Sequence, residues 1–385
     1  MNQAIINGQI FDGDVLLEDQ AVLLNGSTII DLIPQTQLPK NTQVIFDLRG
    51  GYLVPGFIDL QVNGGGGVLF NNAPTVESLK TIGAAHRQYG TTGFLPTLIT
   101  DSFTVMRRAI AAVTQAIDEA VPGVLGIHLE GPFLNPQRKG VHDAAKFCII
   151  DIEGFDIITS LTSGKTLITL APELTTVDMI KAIHSAGVIV SVGHSVASYD
   201  QVRQALAAGA SGFTHLYNAM SPLKSRDPGI VGAALEDDLS WFGIIADGHH
   251  VHPAALSVAV AAKRQGGALL VTDAMATVGA DNKSFELDGE MLRAAEGRIA
   301  NSQGTLAGSD LDMISAVNNA AKFAAIDWFE AVRMASLYPA RALGLDDQFG
   351  CIKAGYSANF VALDKRRKIT HTWIQGEMRA HQPRP

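Results

Sequence analysis

A chain of 385 residues, 47% hydrophobic and 17% charged, has the material for a large core. It exceeds one ordinary domain in length, although a single α/β barrel with a small accessory module also fits. A net charge of −9 without a long basic run argues against nucleic acid as a partner, and no apolar stretch approaches the length of a membrane span.

Cys148 and Cys351 are far apart and lack metal-site spacing, which suits a reducing compartment. The N-terminus MNQAIINGQIFDGD has neither a basic start nor a long apolar run, so the expectation is a cytoplasmic protein.

Residues 1–52 read as short strands, AIINGQI and AVLLNGSTIIDLI, with Asn7-Gly8 and Asn25-Gly26 as hairpin signals. From Leu53 the rhythm changes to apolar runs separated by helical periods. Eight runs are candidate strands: LVPGFIDL, TTGFLPTL, GVLGIHLE, TLITLAPE, VIVSVGHS, GFTHLYN, WFGIIADG and ALLVTDAM. Met106, Ile110, Val113 and Ile117 mark one face of the second intervening helix. Ser198 with Gln201 opens the fifth as a capping box, and Gly209 closes it. Residues 283–306 read as a small insertion of strands and turns, followed by helices from Asp310 to about Leu345. SANFVALD and ITHTWIQGEMRA end the chain as strands around a basic turn. Eight alternating βα units predict an α/β fold closed as a (β/α)8 TIM-type barrel, residues 53–349, with one small sheet domain assembled from residues 1–52 and 350–385. An open doubly wound sheet is the alternative if one strand is misread.

The segment VLGIHLEGPFLNPQRKGVHD organises the chemistry. An apolar strand delivers Glu130 to its C-terminal end, then turns through Gly131 and Pro132 into a loop carrying Arg138, Lys139 and His142. A helix cap is the plainer reading of Glu130. Yet Asp59, His194, His215 and Asp273 also stand at or near strand ends, and in a barrel those ends share one face. A glutamate and two histidines suit one zinc or similar divalent ion, with iron, cobalt and manganese as alternatives. Asp273 is then the proton-transfer group. Gln61 and Asn63 are amides, poor transition-metal ligands, which favours one ion over two. Gly64 to Gly67 match no phosphate-binding fingerprint and read as a flexible turn. His128, two residues before Glu130, reads as a satisfied core histidine.

The segments PGFIDLQVNG, HLEGPFLNPQRKGVHD, VGHS, THLYNAMSPL, ADGHHVH, VTDAM, GTLAGS, ASLYPARALG and AGYSANFVALD together resemble the N-acetylglucosamine-6-phosphate deacetylase family of the amidohydrolase superfamily, across nearly the whole chain. The resemblance implies a metal-containing barrel, a small β-sandwich from both termini and a homodimer. It implies Glu130, His194 and His215 as metal ligands, Asp273 as catalytic acid and base, and His142, beside Val141, on the substrate's amide carbonyl. Asn218, Ala219, Arg226 and His250 match positions that hold the sugar phosphate, with Lys224 an alternative to Arg226 and His249 and His252 flanking His250. Leu306, Ala307, Gly308 and Ser309 match a further substrate-contacting segment.

The implied reaction is hydrolysis of N-acetylglucosamine 6-phosphate to glucosamine 6-phosphate and acetate. The competing readings are N-acetylgalactosamine 6-phosphate or another amide as substrate, and a non-catalytic scaffold. An intact set of Glu130, His194, His215 and Asp273 weighs against the scaffold.

Overall fold

The computed structural model describes residues 2–263 and 266–381; the extreme ends of the two flanking ranges lie outside the described residues. All eight expected barrel strands are present: Phe57–Val62, Thr91–Ile99, Gly126–Glu130, Lys165–Leu170, Ile189–Val192, Ala210–Phe213, Trp241–Ile244 and Ala268–Leu270. They pair in parallel, in sequence order. Phe57–Val62 and Thr91–Ile99 are buried along their whole length, as expected of strands covered on both faces. Most of the helices between them bury one stripe, whereas Gly229–Glu236 is buried through its first six residues. Phe103–Asp118, capped by Ser102, turns Met106, Ile110 and Val113 inward, and the Ser198–Gln201 capping box opens Tyr199–Ala207.

The first candidate run divides in two. Tyr52–Pro55 belongs to a separate sheet, and the chain passes Gly56 before entering the barrel at Phe57. That separate sheet has six strands and interleaves both termini, since Tyr52–Pro55 lies between Gln9–Phe11 and Phe360–Leu363. A four-stranded sheet of residues 3–47 packs near it around Ile5, Val22, Leu24, Phe360 and Trp373.

Asn25-Gly26 does form a hairpin, joining Gln20–Asn25 to Thr28–Pro34. Asn7-Gly8 does not. The strands on either side of it enter different sheets, Gln3–Ile6 pairing with Gln20–Asn25 and Gln9–Phe11 with Tyr52–Pro55. Asn7 takes the left-handed conformation to make that crossing, and its side chain is held by Asp47.

The barrel closes at a seam between its last and first strands. Asp273 N–H donates to the Gln61 carbonyl at 3.0 Å and Asn63 N–H to the Ala274 carbonyl at 2.9 Å. Beneath them the fully buried Asp59 accepts from Thr272 Oγ1 at 2.5 Å and from the Thr272 and Gln61 N–H groups at 3.2 Å each. Over the barrel mouth, Ser284–Leu287, Glu290–Ala295, Arg298–Ala300 and Leu306–Ser309 form an antiparallel meander. Its apolar face rests on Leu69, Ile99 and Met275.

Burial pushes the Asp59 carboxyl up to about 7, against the donors around it. A carboxyl that holds its proton more tightly folded than unfolded stabilises the fold below its ordinary value of 3.8, and that contribution is lost as pH rises through about 7. Asp59→Asn, which cannot ionise, is expected to flatten the fall in stability across that window. Urea midpoints measured at several pH values check this, and parallel slopes for variant and wild type would contradict it.

Candidate metal centre and active site

Glu130, His194 and His215 end or follow the third, fifth and sixth barrel strands and meet as one buried cluster, their ligand-type atoms all within 4.8 Å of one another. Glu130 Oε1 lies 2.9 Å from His215 Nε2 and 3.2 Å from His194 Nε2, and the two imidazole nitrogens are 3.1 Å apart. His194 Nδ1 is 2.8 Å from the Arg138 carbonyl, which can only accept. Neutral His194 therefore carries its proton on Nδ1 and turns the Nε2 lone pair into the cluster.

Two imidazole nitrogens and a carboxylate oxygen aimed at one buried point need a proton or a cation among them, so the donor set fits a divalent metal. Burial pushes the Glu130 carboxyl up, but the imidazoles of His194 and His215 outweigh it and hold it well below the usual carboxylate range.

Asp273 stands beside this cluster at the barrel seam. Its Oδ1 accepts from Asn63 Nδ2 at 2.6 Å and Gln61 Nε2 at 3.2 Å, and the Gln61 amide also donates to Glu130 Oε2 at 3.2 Å. With Oδ1 engaged by two N–H donors, Oδ2 is the oxygen left for a proton. Burial, then the Glu130 charge, pushes the Asp273 carboxyl up to about 6.

His142 packs its ring 4.5 Å from that of His194, centroid to centroid. Burial, and then the neighbouring His194, pulls it down to about 3, so it is neutral. Its Nδ1 lies 2.8 Å from the Thr100 hydroxyl, which can donate to it, and the Thr100 N–H points at it at 3.4 Å; with Nδ1 accepting both, the proton of the neutral ring is on Nε2, a donor. The backbone is strained where these side chains are aimed: His194, His215, Ala219 and Asp273 all take positive φ, between 35° and 52°.

Twelve of the residues singled out from sequence line one cavity of about 260 Å³: Asn63, Glu130, Val141, His142, His194, His215, Asn218, Ala219, His250, Asp273, Leu306 and Gly308. Ala307 and Ser309 do not face it. Alternation along Leu306–Ser309 turns them to the buried side, where Ser309 Oγ donates to the Thr272 carbonyl at 2.6 Å. Gly308 takes a φ of +62° with its Cα close against Met275 and the Asp273 carbonyl, a place with no room for a Cβ.

Arg226 lies on an exposed loop outside the cavity, and Lys224 beside it pairs with Asp227 at 3.6 Å. His249 and His252 are exposed, and His252 caps the helix Pro253–Ala262. His128 is a satisfied core histidine, 2.8 Å from Thr169 Oγ1 and 3.2 Å from Thr97 Oγ1.

Glu173 escaped the sequence reading. It accepts from Ser195 Oγ at 2.6 Å, Val196 N–H at 2.8 Å and Asn135 Nδ2 at 2.9 Å, and Asn135 N–H in turn donates to the His194 carbonyl at 2.9 Å. One carboxylate thus grips the turn that carries His194. The available signal was the one that exposed Glu130, an acid at the end of a strand run, here TLITLAPE.

The amidohydrolase family model matches residues 52–379, and a model described as the NagA composite domain matches residues 3–53. N-acetylgalactosamine-6-phosphate deacetylase of Shewanella sp. (strain ANA-3) is 47% identical over 335 residues, covering 86% of this chain and 84% of that one. N-acetylglucosamine-6-phosphate deacetylase of Haemophilus influenzae is 38% identical over 381 residues, 98% and 99% of the two chains. The crystal structure of N-acetylglucosamine-6-phosphate deacetylase from Pasteurella multocida superposes with a TM-score of 0.95 at 37% identity, covering 99% of this chain and 100% of that one. A mutant of the Mycobacterium smegmatis enzyme in complex with N-acetyl-D-glucosamine 6-phosphate gives 0.89 at 30% identity, covering 98% of each chain.

Because Glu173 secures the His194 turn through three accepted hydrogen bonds, Glu173→Ala is expected to weaken retention of a divalent ion by about 10-fold or more, the range for outer partners of a metal site. Competition with a chelator measures it, and unchanged retention would dissociate Glu173 from the cluster.

Proposed function

This chain belongs to the amidohydrolase family, and from that premise we propose that it removes the acetyl group of N-acetyl-D-glucosamine 6-phosphate, releasing D-glucosamine 6-phosphate and acetate. The observation that carries the reading is the convergence, in one cavity, of a Glu/His/His cluster, an adjacent aspartate with one engaged oxygen, and a neutral histidine positioned to donate. Relatives named for the same reaction, similar over most of the chain, supply the substrate class.

Glu130, His194 and His215 would hold one divalent ion, zinc by the preference of such a donor set. Bound there, it would supply Lewis acidity toward the acetyl carbonyl and the attacking water. The chain's own groups do the rest. His142 Nε2–H donates to the acetyl carbonyl oxygen as charge develops on it. Asp273 Oδ2 takes the proton of the attacking water and returns it to the departing amine, whose protonation lets the C–N bond break. Gln61 and Asn63 keep the aspartate in place throughout. Asn218, Ala219 and His250 line the same cavity and would receive the sugar phosphate.

Among the described residues, the cavity lining holds no lysine or arginine, and Arg226 is exposed outside it. This supports a homodimer in which Arg226 of each chain serves the cavity of the other. The two free cysteines fit a cytoplasmic setting, and the small β-sandwich reads as residues up to Pro55 together with those from 350 on, flanking a barrel that begins at Phe57.

A second substrate is favoured by a specific observation: the 47% identical relative is named for N-acetylgalactosamine 6-phosphate. Acetate release from both epimeric sugar phosphates decides between them. Higher kcat/KM on the gluco epimer is expected, preference for the galacto epimer would reverse the order, and release from neither would end the reading. Asp273→Asn is expected to keep its metal and lose about 10²–10⁴ in kcat, the span of a general acid–base contribution. Metal analysis alongside turnover checks both halves.

A further inference from the structure

The ADGHHVH segment leaves the seventh barrel strand at Asp247, whose carboxylate is fully engaged. Oδ1 accepts the N–H groups of His249 and His250 at 2.8 Å each, and Oδ2 lies 2.6 Å from His250 Nδ1. Both side chains are buried, at 5% and 6% exposure. Burial pushes the Asp247 carboxyl up, yet the His250 imidazole and the two N–H groups hold it below the usual range, so it is an anion.

We propose that Asp247 is a positioning residue for phosphate recognition: it engages Nδ1 of His250 on the side away from the cavity and leaves its charge behind the ring, so that Nε2 is turned to the substrate's phosphate and can meet it as an N–H. The inference rests on the reading of the cavity as a sugar-phosphate site.

With Nδ1 committed to Asp247, a neutral His250 can present only a lone pair at Nε2, and a phosphate oxygen would be repelled by it. The imidazolium presents N–H instead, and the carboxylate behind it compensates the charge. The hydrogen bond to phosphate is then charge-assisted, about twice as strong as a neutral one. The same ring acts electrostatically on Asp273, so a role in the chemical step is the competing assignment.

The test compares kcat and KM for N-acetylglucosamine 6-phosphate and for unphosphorylated N-acetylglucosamine in wild type, Asp247→Asn, His250→Asn and the double variant. For Asp247→Asn, KM for the phosphorylated sugar is expected to rise about tenfold or more with kcat within about threefold, while the unphosphorylated sugar is processed as before. The double variant is expected to match His250→Asn alone, because Asp247 acts only through that ring. Equal losses on both sugars, or additive losses in the double variant, would overturn the proposal and assign the pair to chemistry or to folding. Asparagine keeps an Oδ1 for the His249 and His250 N–H groups, and the thermal midpoint of Asp247→Asn is the second measurement: a midpoint close to wild type is expected, and a large drop with equal losses on both sugars would assign the pair to folding. If wild-type enzyme discriminates between the sugars and Asp247→Asn discriminates equally well, the inference alone fails. If wild type ignores the phosphate, the phosphate reading fails and takes the inference with it.

Discussion

Three electron-rich atoms, Glu130 Oε1 and the Nε2 atoms of His194 and His215, are held about 3 Å from one another in a buried site. Such an arrangement is unfavourable by itself, because lone pairs stripped of water repel. Much of the surrounding architecture opposes that repulsion. The Arg138 carbonyl fixes the His194 tautomer, Glu173 grips the His194 turn, and Gln61 donates to the far oxygen of Glu130. A proton or a cation converts the repulsion into attraction, and the donor set is one suited to a divalent ion.

The same elements that close the barrel also aim the chemistry. Asp273 contributes its N–H to the seam and its carboxylate to the cavity, and its positive φ reconciles the two. Gln61 does likewise, with its carbonyl in the seam and its amide between Glu130 and Asp273. Asp59 sits directly beneath as the buried fastening of the strand ends. Precision at the site therefore depends on an intact barrel closure, in which the rigid sheet pre-sets the polar groups before a substrate arrives.

The barrel was legible in the sequence because its strands are apolar runs of the right length, spaced by amphipathic helices. The cluster was legible because strand-end polar residues share a face whatever their separation along the chain. What could not be read is tertiary. Asn7-Gly8 carries a hairpin dipeptide, but nothing local says that its two strands belong to different sheets. GTLAGS reads as one unit, while alternation sends Leu306 and Gly308 to the cavity and Ala307 and Ser309 behind it. Glu173 and Asp247 resemble ordinary loop acids until their partners are placed beside them. Arg226, part of the same motif, is exposed and does not line the cavity.

The meander over the mouth has its own consequence. Its final strand lines the cavity with Leu306 and Gly308, while Ser309 N–H donates to the Asp273 carbonyl at 2.8 Å and Ser309 accepts from Met275 N–H at 2.9 Å. Roof and Asp273 are therefore one mechanical piece. Grafting a different roof to admit another sugar would succeed only if residues 305–309 stay with the body of the enzyme, so that the hinge of any redesign falls before them.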